Sequence, residues 1–134
     1  MLEYKVSAQR IDPRESVART ETAEVRLATG LSGAADALNP AELLLASIAA
    51  CIIKGIERVI YPLAFSLDGV EVILRSVRQA DPPLIVSVNY QLVVDTDQAD
   101  QRLELLYKSV RKYGTISNTV ALAARLDGVT RRKS

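Results

Sequence analysis

The side chain with the most evident chemistry in this sequence is Cys51, the only cysteine among 134 residues that include no histidine. A thiolate is a nucleophile that attacks peroxides and disulfides, and a nearby cation keeps it ionised. A free cysteine in apolar surroundings is also a common core residue. The residue type alone therefore leaves two interpretations open, a reactive thiol and a small hydrophobic core residue.

Two cations follow Cys51 within about two helical turns. At about 100° per residue, Lys54 lies about 60° from Cys51 around a helix axis, and Arg58 lies on nearly the same face. A cation from another part of the fold would serve the thiol equally well. The local sequence thus places cations near Cys51 without choosing among them.

The helix that carries Cys51 has a clear beginning. Asn39 is a favourable N-cap, Pro40 suits the first helical position, and the Glu42 carboxylate can accept a hydrogen bond from the Asn39 backbone N–H. Glu42 lies about 180° around the axis from Cys51, so it would reach a thiol mainly through a partner chain. Glu42 is therefore either a capping residue or part of an active site.

The stretch after this cap is apolar nearly all round. Residues 43–53 contain no charged side chain, and such a helix is expected to be buried on most sides. We expect it to run from about residue 40 to about residue 59, weakened late by Gly55 and ended by Pro62. The uncharged run is shorter than the roughly 20 residues that span a bilayer, so it indicates a core helix.

Composition indicates a soluble globular protein with one domain, residues 1–134, since 49% of the residues are apolar and 25% are charged. The net charge of +1 and the few aromatic residues argue against a nucleic-acid partner. A single cysteine excludes an intrachain disulfide, and without histidine a zinc site is not expected. The amino terminus lacks the apolar core of a signal peptide, so we expect a cytoplasmic protein without a membrane partner.

The remaining elements are predicted from alternation and turn residues. Alternating apolar and polar residues predict strands, and Gly and Pro mark the turns between them. An antiparallel hairpin is expected around Asp81-Pro82-Pro83. The predicted strands are residues 2–8 (half-buried), 15–20, 23–29 (Val25 and Leu27 inward), 70–75, 86–94 and 122–130. The other predicted segments are a loop at 30–38, a helix from about Asp97 that stops at Gly114, a short helix or turn at 116–121, and a frayed basic tail at 131–133. Together these predict an α+β fold.

Two segments carry a family resemblance. Asn39-Pro-Ala-Glu-Leu-Leu-Leu-Ala-Ser-Ile-Ala-Ala-Cys51 resembles the central-helix motif of the OsmC superfamily, the osmotically induced protein C group that includes the organic hydroperoxide resistance proteins. Gly114-Thr-Ile-Ser-Asn-Thr-Val120 is similar to the family segment in which a cysteine, then Pro, an apolar residue, Ser and Asn begin a short helix. The resemblance implies an OsmC-like fold, with antiparallel sheets around a long buried central helix, and an intertwined homodimer with active sites at its interface.

The resemblance also implies roles for single residues. In the family, an arginine and a glutamate activate a peroxidatic cysteine, which attacks an organic hydroperoxide and becomes a sulfenic acid. Cys51 matches this cysteine. The peroxidase branches have Glu directly after the Pro, where this chain has Ala41, whereas many OsmC-like relatives carry it one residue later, where Glu42 stands. The expected catalytic residues are therefore Cys51 and Glu42, with helix capping as the other role of Glu42.

The activating arginine is not identified by the resemblance. In the family it comes from the N-terminal strands or from the loop before the central helix. Residues 30–38 contain no arginine. Four unranked candidates remain, namely Arg10, Arg14, Arg19 and Arg26.

The resolving cysteine of the family is missing from this chain. Its position falls at Gly114, and Thr115 stands in place of the Pro, although Ser117 and Asn118 remain. With one cysteine, the family's two-cysteine cycle is impossible.

Two hypotheses about function follow. One is a one-cysteine peroxidase for organic hydroperoxides, reduced by an external thiol and using no cofactor or metal. The other is a non-catalytic dimeric protein that binds a small apolar ligand in the interface pocket.

Overall fold

The computed structural model describes residues 1–33 and 36–134, and it has the mixed α and β composition expected from the sequence. The strands are β1 Ser7–Arg10, β2 Glu15–Arg19, β3 Glu24–Ala28, β4 Gly69–Gln79, β5 Leu84–Asp95 and β6 Arg125–Arg132. The helices are α1 Pro40–Val59, α2 Asp100–Arg111 and α3 Thr115–Ala121. Ala34 and Ala35, in the predicted loop at 30–38, lie outside the described residues. The chain divides into two units, Met1–Leu44 and Leu45–Ser134, and each is described by itself.

The first unit contains an antiparallel sheet in the order β1-β2-β3. Ser7 pairs with Arg19 at one end of the β1–β2 ladder, and Glu15 pairs with Ala28 in the β2–β3 ladder. Val17 and Ala28 are buried, and a hydrogen bond of 2.7 Å joins the hydroxyls of Ser16 and Thr29. The sheet is short because its middle strand has five residues.

Two predictions in this unit were wrong. The alternation at residues 2–8 predicted a half-buried strand, but β1 begins at Ser7, and Leu2 and Tyr4 are more than four-fifths exposed. The ladder ends where β2 runs out of residues, so the alternating residues before Ser7 have no β2 residue to pair with. Val25, expected to point inward, is 41% exposed, whereas Ala28 at the end of β3 is buried.

Helix α1 has the predicted bounds but not the predicted burial. Within the chain it buries one face, formed by Ile48, Ile52, Gly55, Ile56 and Val59. Ile53 and Leu44 remain 39% and 37% exposed, and Ala46 and Ala50 are exposed as well. The expectation of a helix buried on most sides is therefore wrong for the single chain.

The second unit contains a three-stranded sheet in the order β4-β5-β6. The predicted antiparallel hairpin is formed by β4 and β5, and β6 lies parallel to β5. Val88, Leu92 and Val94 alternate along β5 and are almost completely buried. They share one hydrophobic core with the buried face of α1 and with Leu106 of α2. This core positions the segments that carry the candidate site.

Gly55 marks the close approach of α1 and α2. A Cβ atom at Gly55 would lie 3.2 Å from the Cγ1 atom of Val110, so a larger residue would push the helices apart. A glycine within a helix costs roughly 0.5–1 kcal/mol relative to alanine. That cost is offset here because the missing side chain lets Val110 pack into the core.

The C-terminal segment also differs from its prediction. The last strand was expected at residues 122–130, but Leu122 is 91% exposed in the turn after α3 and β6 continues to Arg132. The predicted frayed tail is held in place. The Arg132 guanidinium donates hydrogen bonds of 2.7 Å to the Thr96 carbonyl and to the Asp100 carboxylate. Within the described residues, no helix is both long enough and apolar enough to cross a membrane.

Candidate functional site

Cys51 is half-buried on α1 and lines a cavity of about 60 Å³ in the second unit. The cavity lies beside the start of α3 and the end of α2. Its polar lining comes from Cys51, Tyr90, Arg111, Ser117 and Asn118, and its apolar lining from Ile52, Val110, Ala121 and Leu126. The thiol therefore faces a small space that has both hydrogen-bonding groups and apolar walls.

Gly114, in the α2–α3 connection, lies close to the thiol. A Cβ atom at this position would lie 3.4 Å from the Cys51 Sγ atom. The prediction that Gly114 stops α2 was wrong, because α2 ends at Arg111 and Gly114 is the N-cap of α3, with φ −80° and ψ 101°. Those angles suit any L-residue, so the backbone itself does not require glycine there.

Arg111, an exposed residue, is the one Lys, Arg, Asp or Glu among the described residues that line the cavity. Its Nη1 atom donates hydrogen bonds to the Tyr90 hydroxyl at 3.0 Å and to the Tyr107 hydroxyl at 3.4 Å. The Tyr90 hydroxyl donates to Tyr107 at 3.4 Å, and Tyr107 donates to the Gly128 carbonyl at 2.9 Å. The hydroxyl protons thus all point away from Arg111, and this network fixes the orientation of its side chain.

Burial raises the pKa of Tyr90 to about 12, and its hydrogen bond with Tyr107 raises it as well. The hydrogen bond with Tyr90 raises the pKa of the Arg111 guanidinium. At neutral pH Tyr90 is therefore uncharged and Arg111 carries a full positive charge. None of the ion pairs found among residues 1–33 and 36–134 includes Arg111.

Gly128 makes room for Tyr90. The two residues are paired across β5 and β6, and a Cβ atom at Gly128 would lie 2.1 to 2.3 Å from three atoms of the Tyr90 ring. No side chain fits at that distance. The glycine lets the ring lie across β6, and from there its hydroxyl meets Arg111.

Glu42 is engaged in the predicted capping box. Its carboxylate accepts a hydrogen bond of 3.0 Å from the Asn39 backbone N–H, and its own N–H donates to the Asn39 side-chain oxygen at 2.8 Å. This geometry is the reciprocal pair that caps a helix. Glu42 belongs to the first unit and Cys51 to the second. A catalytic role for Glu42 stays a prediction.

The four candidate arginines all belong to the first unit. Arg10 and Arg14 are exposed. Arg19 forms an ion pair of 2.9 Å with Glu24. Arg26 pairs with Glu15 and, at 3.3 Å, with Asp36, and the hydrogen bond from Arg26 lowers the pKa of the Asp36 carboxyl. Which arginine, if any, serves the thiol stays a prediction for these four residues.

Sequence reasoning missed Arg111, Tyr90 and Tyr107 as site residues. The available signals were a tyrosine on the inward face of an otherwise aliphatic strand, and Tyr107 on the buried stripe of α2 with an arginine one turn later. Both patterns are also common in ordinary cores, so only the fold shows that Tyr90 and Arg111 line the Cys51 cavity and that Tyr107 contacts both of them. Ser117 and Asn118, which the family-like segment singled out, do line the cavity.

A larger hollow of about 240 Å³ lies on the β4–β6 sheet, lined by Arg75, Asn89 and Asp127 among others. Its lining, among the described residues, includes no cysteine. Among the described residues, no group of three His, Cys, Asp or Glu side chains is arranged to hold a metal ion. The Cys51 cavity combines the thiol with polar groups.

Comparison with known families places this geometry in context. The family described as OsmC-like protein matches residues 33–127, which is most of the chain. A search of curated proteins found no match.

Solved structures of OsmC-like and organic hydroperoxide resistance proteins have folds similar to that of this chain. An OsmC-like protein from Mycoplasma pneumoniae superposes with a TM-score of 0.89 at 13% identity, covering 99% of each chain. A structure from Legionella pneumophila, described as an organic hydroperoxide resistance protein OsmC and predicted redox protein, gives 0.75 at 21% identity, covering 97% of this chain and 98% of its own. The organic hydroperoxide resistance protein OhrB of Bacillus subtilis gives 0.66 at 15% identity, covering 98% of both. At these identities the likeness is one of fold.

Proposed function

The chain belongs to the OsmC-like family, and from this membership we propose that it is a one-cysteine thiol peroxidase that reduces organic hydroperoxides. The observation that carries the proposal is the distance of 3.4 Å between the Cys51 sulfur and a Cβ atom built at Gly114. In two-cysteine relatives these positions hold the peroxidatic and resolving cysteines, which must meet to form a disulfide. Their proximity here supports the assignment of Cys51 to the peroxidatic position.

The proposed first step uses the Cys51 thiolate as the nucleophile. The sulfur attacks the terminal oxygen of the hydroperoxide, so an S–O bond forms while the O–O bond breaks. The alkoxide leaves with a proton as an alcohol, and Cys51 is oxidised to a sulfenic acid. The apolar lining from Ile52, Val110 and Leu126 suits the organic part of such a substrate.

The proposed second step requires an external thiol because no second cysteine exists. The thiol attacks the sulfenic sulfur, water leaves, and a mixed disulfide remains on Cys51. A second thiol then releases the thiolate and a symmetric disulfide. Over the cycle, one hydroperoxide and two thiols become one alcohol, one water molecule and one disulfide.

We also propose that the working protein is a homodimer. On α1, Ala46, Ala50 and Ile53 lie along one exposed stripe at helical spacing, apart from the face that α1 buries within the chain. Burying an exposed apolar side chain contributes roughly 25 cal/mol per Å². A second copy of the chain that covers this stripe would bury α1 on most sides, as its apolar sequence predicts. A cytoplasmic location remains part of the proposal.

The apolar walls of the cavity also support the second candidate, a protein that binds a small apolar ligand without turnover. The two functions differ in what Cys51 does. Consumption of cumene hydroperoxide in the presence of a small thiol, measured with the wild-type chain and with Cys51→Ser, distinguishes them. The peroxidase proposal predicts turnover that Cys51→Ser abolishes, and equal, background consumption by both proteins would overturn it.

A further inference from the structure

Arg111 has a position that helix stability alone does not explain. A cation in the last turn of α2 interacts favourably with the helix dipole, and Lys108 and Arg111 both lie in that turn. Only Arg111 of these two lines the Cys51 cavity. Lys108 pairs with the Glu104 carboxylate at 3.2 Å, whereas Arg111 is held by two phenol hydroxyls.

The partners of Arg111 orient its charge without neutralising it. A phenol hydroxyl accepts a hydrogen bond from the guanidinium and remains uncharged at neutral pH. No carboxylate lines the cavity in the part of the chain that the structure describes, and Ser117 and Asn118 add neutral hydrogen-bond donors. A small space with a fixed positive charge, further donors and no acidic group favours an anionic ligand group.

The size and position of the cavity narrow the class of ligand. A volume of about 60 Å³ accommodates an end group such as a carboxylate, whereas a whole drug-sized ligand fills roughly 300–1,000 Å³. Next to the thiol, Gly114 has no side chain, and a Cβ atom there would lie 3.4 Å from the Cys51 Sγ atom. Cys51 and Arg111 line the same cavity, so a ligand that reaches the Cys51 sulfur can place an acidic group beside the Arg111 guanidinium.

From this arrangement, and resting on the peroxidase function proposed above, we propose that the external reductant is a small thiol that carries a carboxylate. Arg111 binds the carboxylate while the thiol sulfur approaches Cys51 from the side of Gly114. The thiol sulfur forms the S–S bond, the sulfenic oxygen leaves as water with the thiol proton, and a mixed disulfide remains. Tyr90 and Tyr107 are positioning residues because they act through Arg111.

The test follows thiol–disulfide exchange, which needs no peroxide and therefore does not depend on peroxidase activity. Reduced protein reacts with the disulfides of thioglycolate, 2-mercaptoethanol and cysteamine, which are anionic, neutral and cationic molecules of similar size. The rate of mixed-disulfide formation on Cys51 is followed by intact mass. The structure predicts that the anionic disulfide reacts fastest, by roughly fivefold over the neutral one, and that high salt reduces this preference.

Variants assign the preference to Arg111. Arg111→Gln is expected to remove the preference for the anionic disulfide, and Arg111→Lys to restore part of it. Lys112→Gln is the matched control because it removes the same charge one residue away, from a side chain that stacks on Tyr113 and does not line the cavity. Equal loss of the preference in both Gln variants would overturn the assignment to Arg111.

The wild-type measurement decides the question even if Arg111→Gln does not fold. A cationic disulfide that reacts as fast as the anionic one would contradict the proposal outright. A clear anionic preference without any hydroperoxide turnover would support the anion site while refuting the peroxidase function. The two claims therefore fail in distinguishable ways.

Discussion

At the scale of single residues, the chemistry depends on what stands opposite Cys51. Gly114 stands where the family resemblance implies a second thiol, and the backbone angles there do not require glycine. Under the proposed function, a sulfenic acid on Cys51 would be reduced by a thiol from solution.

Replacing Gly114 with cysteine should restore the intrachain disulfide. In a disulfide the Cβ atom of one cysteine lies roughly 3 Å from the other sulfur, and the Cβ at position 114 would already lie 3.4 Å from Cys51 Sγ. The Ser117 side chain, 3.1 Å from that Cβ, would have to shift slightly. Intact mass after one equivalent of hydroperoxide should show the loss of two hydrogens.

The matched control is Thr115→Cys, which adds a thiol one residue further along, at an exposed position. It should gain one oxygen at Cys51 instead of closing a disulfide within the chain. If Gly114→Cys folds yet forms only adducts between chains, position 114 is not the resolving position.

Glu42→Gln separates the two interpretations of Glu42. A glutamine oxygen can still accept the hydrogen bond from the Asn39 N–H, so the free energy of unfolding should change by less than about 0.5 kcal/mol. Asn39→Ala removes the other half of the cap and should cost about 0.5–2 kcal/mol in urea unfolding. Peroxidase activity that survives in Glu42→Gln would leave capping as its role, and activity lost from a stable protein would place the carboxylate in the active site.

At the scale of the elements, the site is assembled from the end of α2, the start of α3, the middle of α1 and the β5–β6 pair. Gly55 brings α1 against α2, and Gly128 lets Tyr90 lie across β6 toward Arg111. Both glycines remove side chains where two elements approach closely. The cavity beside Cys51 is thus a consequence of helix and strand packing within the second unit.

The buried Tyr90 gives the second unit a pH dependence. The folded protein holds the pKa of Tyr90 at about 12, above the value of about 10 for a free tyrosine. The contribution of Tyr90 to the free energy of unfolding is fully present below pH 10 and is lost as the pH rises toward 12. The reason is that the Tyr90 hydroxyl loses its proton at a lower pH in the unfolded chain than in the folded one. The free energy of unfolding should fall over this range by roughly 1–2 kcal/mol more in the wild type than in Tyr90→Phe. Identical pH profiles for the two proteins would contradict the raised pKa of Tyr90.

The sequence predicted correctly those elements that are determined by residues close together in the chain. The cap at Asn39 and Glu42 placed the start of α1, and the alternation along β5 identified its buried face. The strand predicted before Ser7 does not form because a strand needs a partner, and the alternation in β1 does not show how long β2 is.

Arg111 was missed for a related reason. Arg111 donates a hydrogen bond to Tyr90 on β5, 21 positions away in the sequence, whereas the periodicity of a helix indicates only neighbours within that helix.

At the scale of the whole molecule, the exposed stripe on α1 is the feature that a second copy of the chain would explain. Ile53→Asp places a charge in this stripe and should convert a homodimer into monomers, or prevent stable folding, because an unpaired buried charge is costly. Leu105→Asp is the matched control, since Leu105 on α2 is 42% exposed, close to the 39% of Ile53. Sedimentation equilibrium should find the wild type and Leu105→Asp dimeric at micromolar concentration. A stable, folded wild-type monomer would refute the homodimer.

The most direct test of the central claim is the reaction of Cys51 itself with an organic hydroperoxide. Reduced wild-type protein receives one equivalent of cumene hydroperoxide, and mass spectrometry with a sulfenic-acid trap follows Cys51 over time. Cumyl alcohol and the urea-unfolded chain serve as controls. The proposed function predicts a sulfenic acid that persists until thiol is added, formed at least about tenfold faster in the folded chain than in the unfolded one. Cys51 that stays unmodified after prolonged exposure, or that reacts no faster than in the unfolded chain, would contradict it.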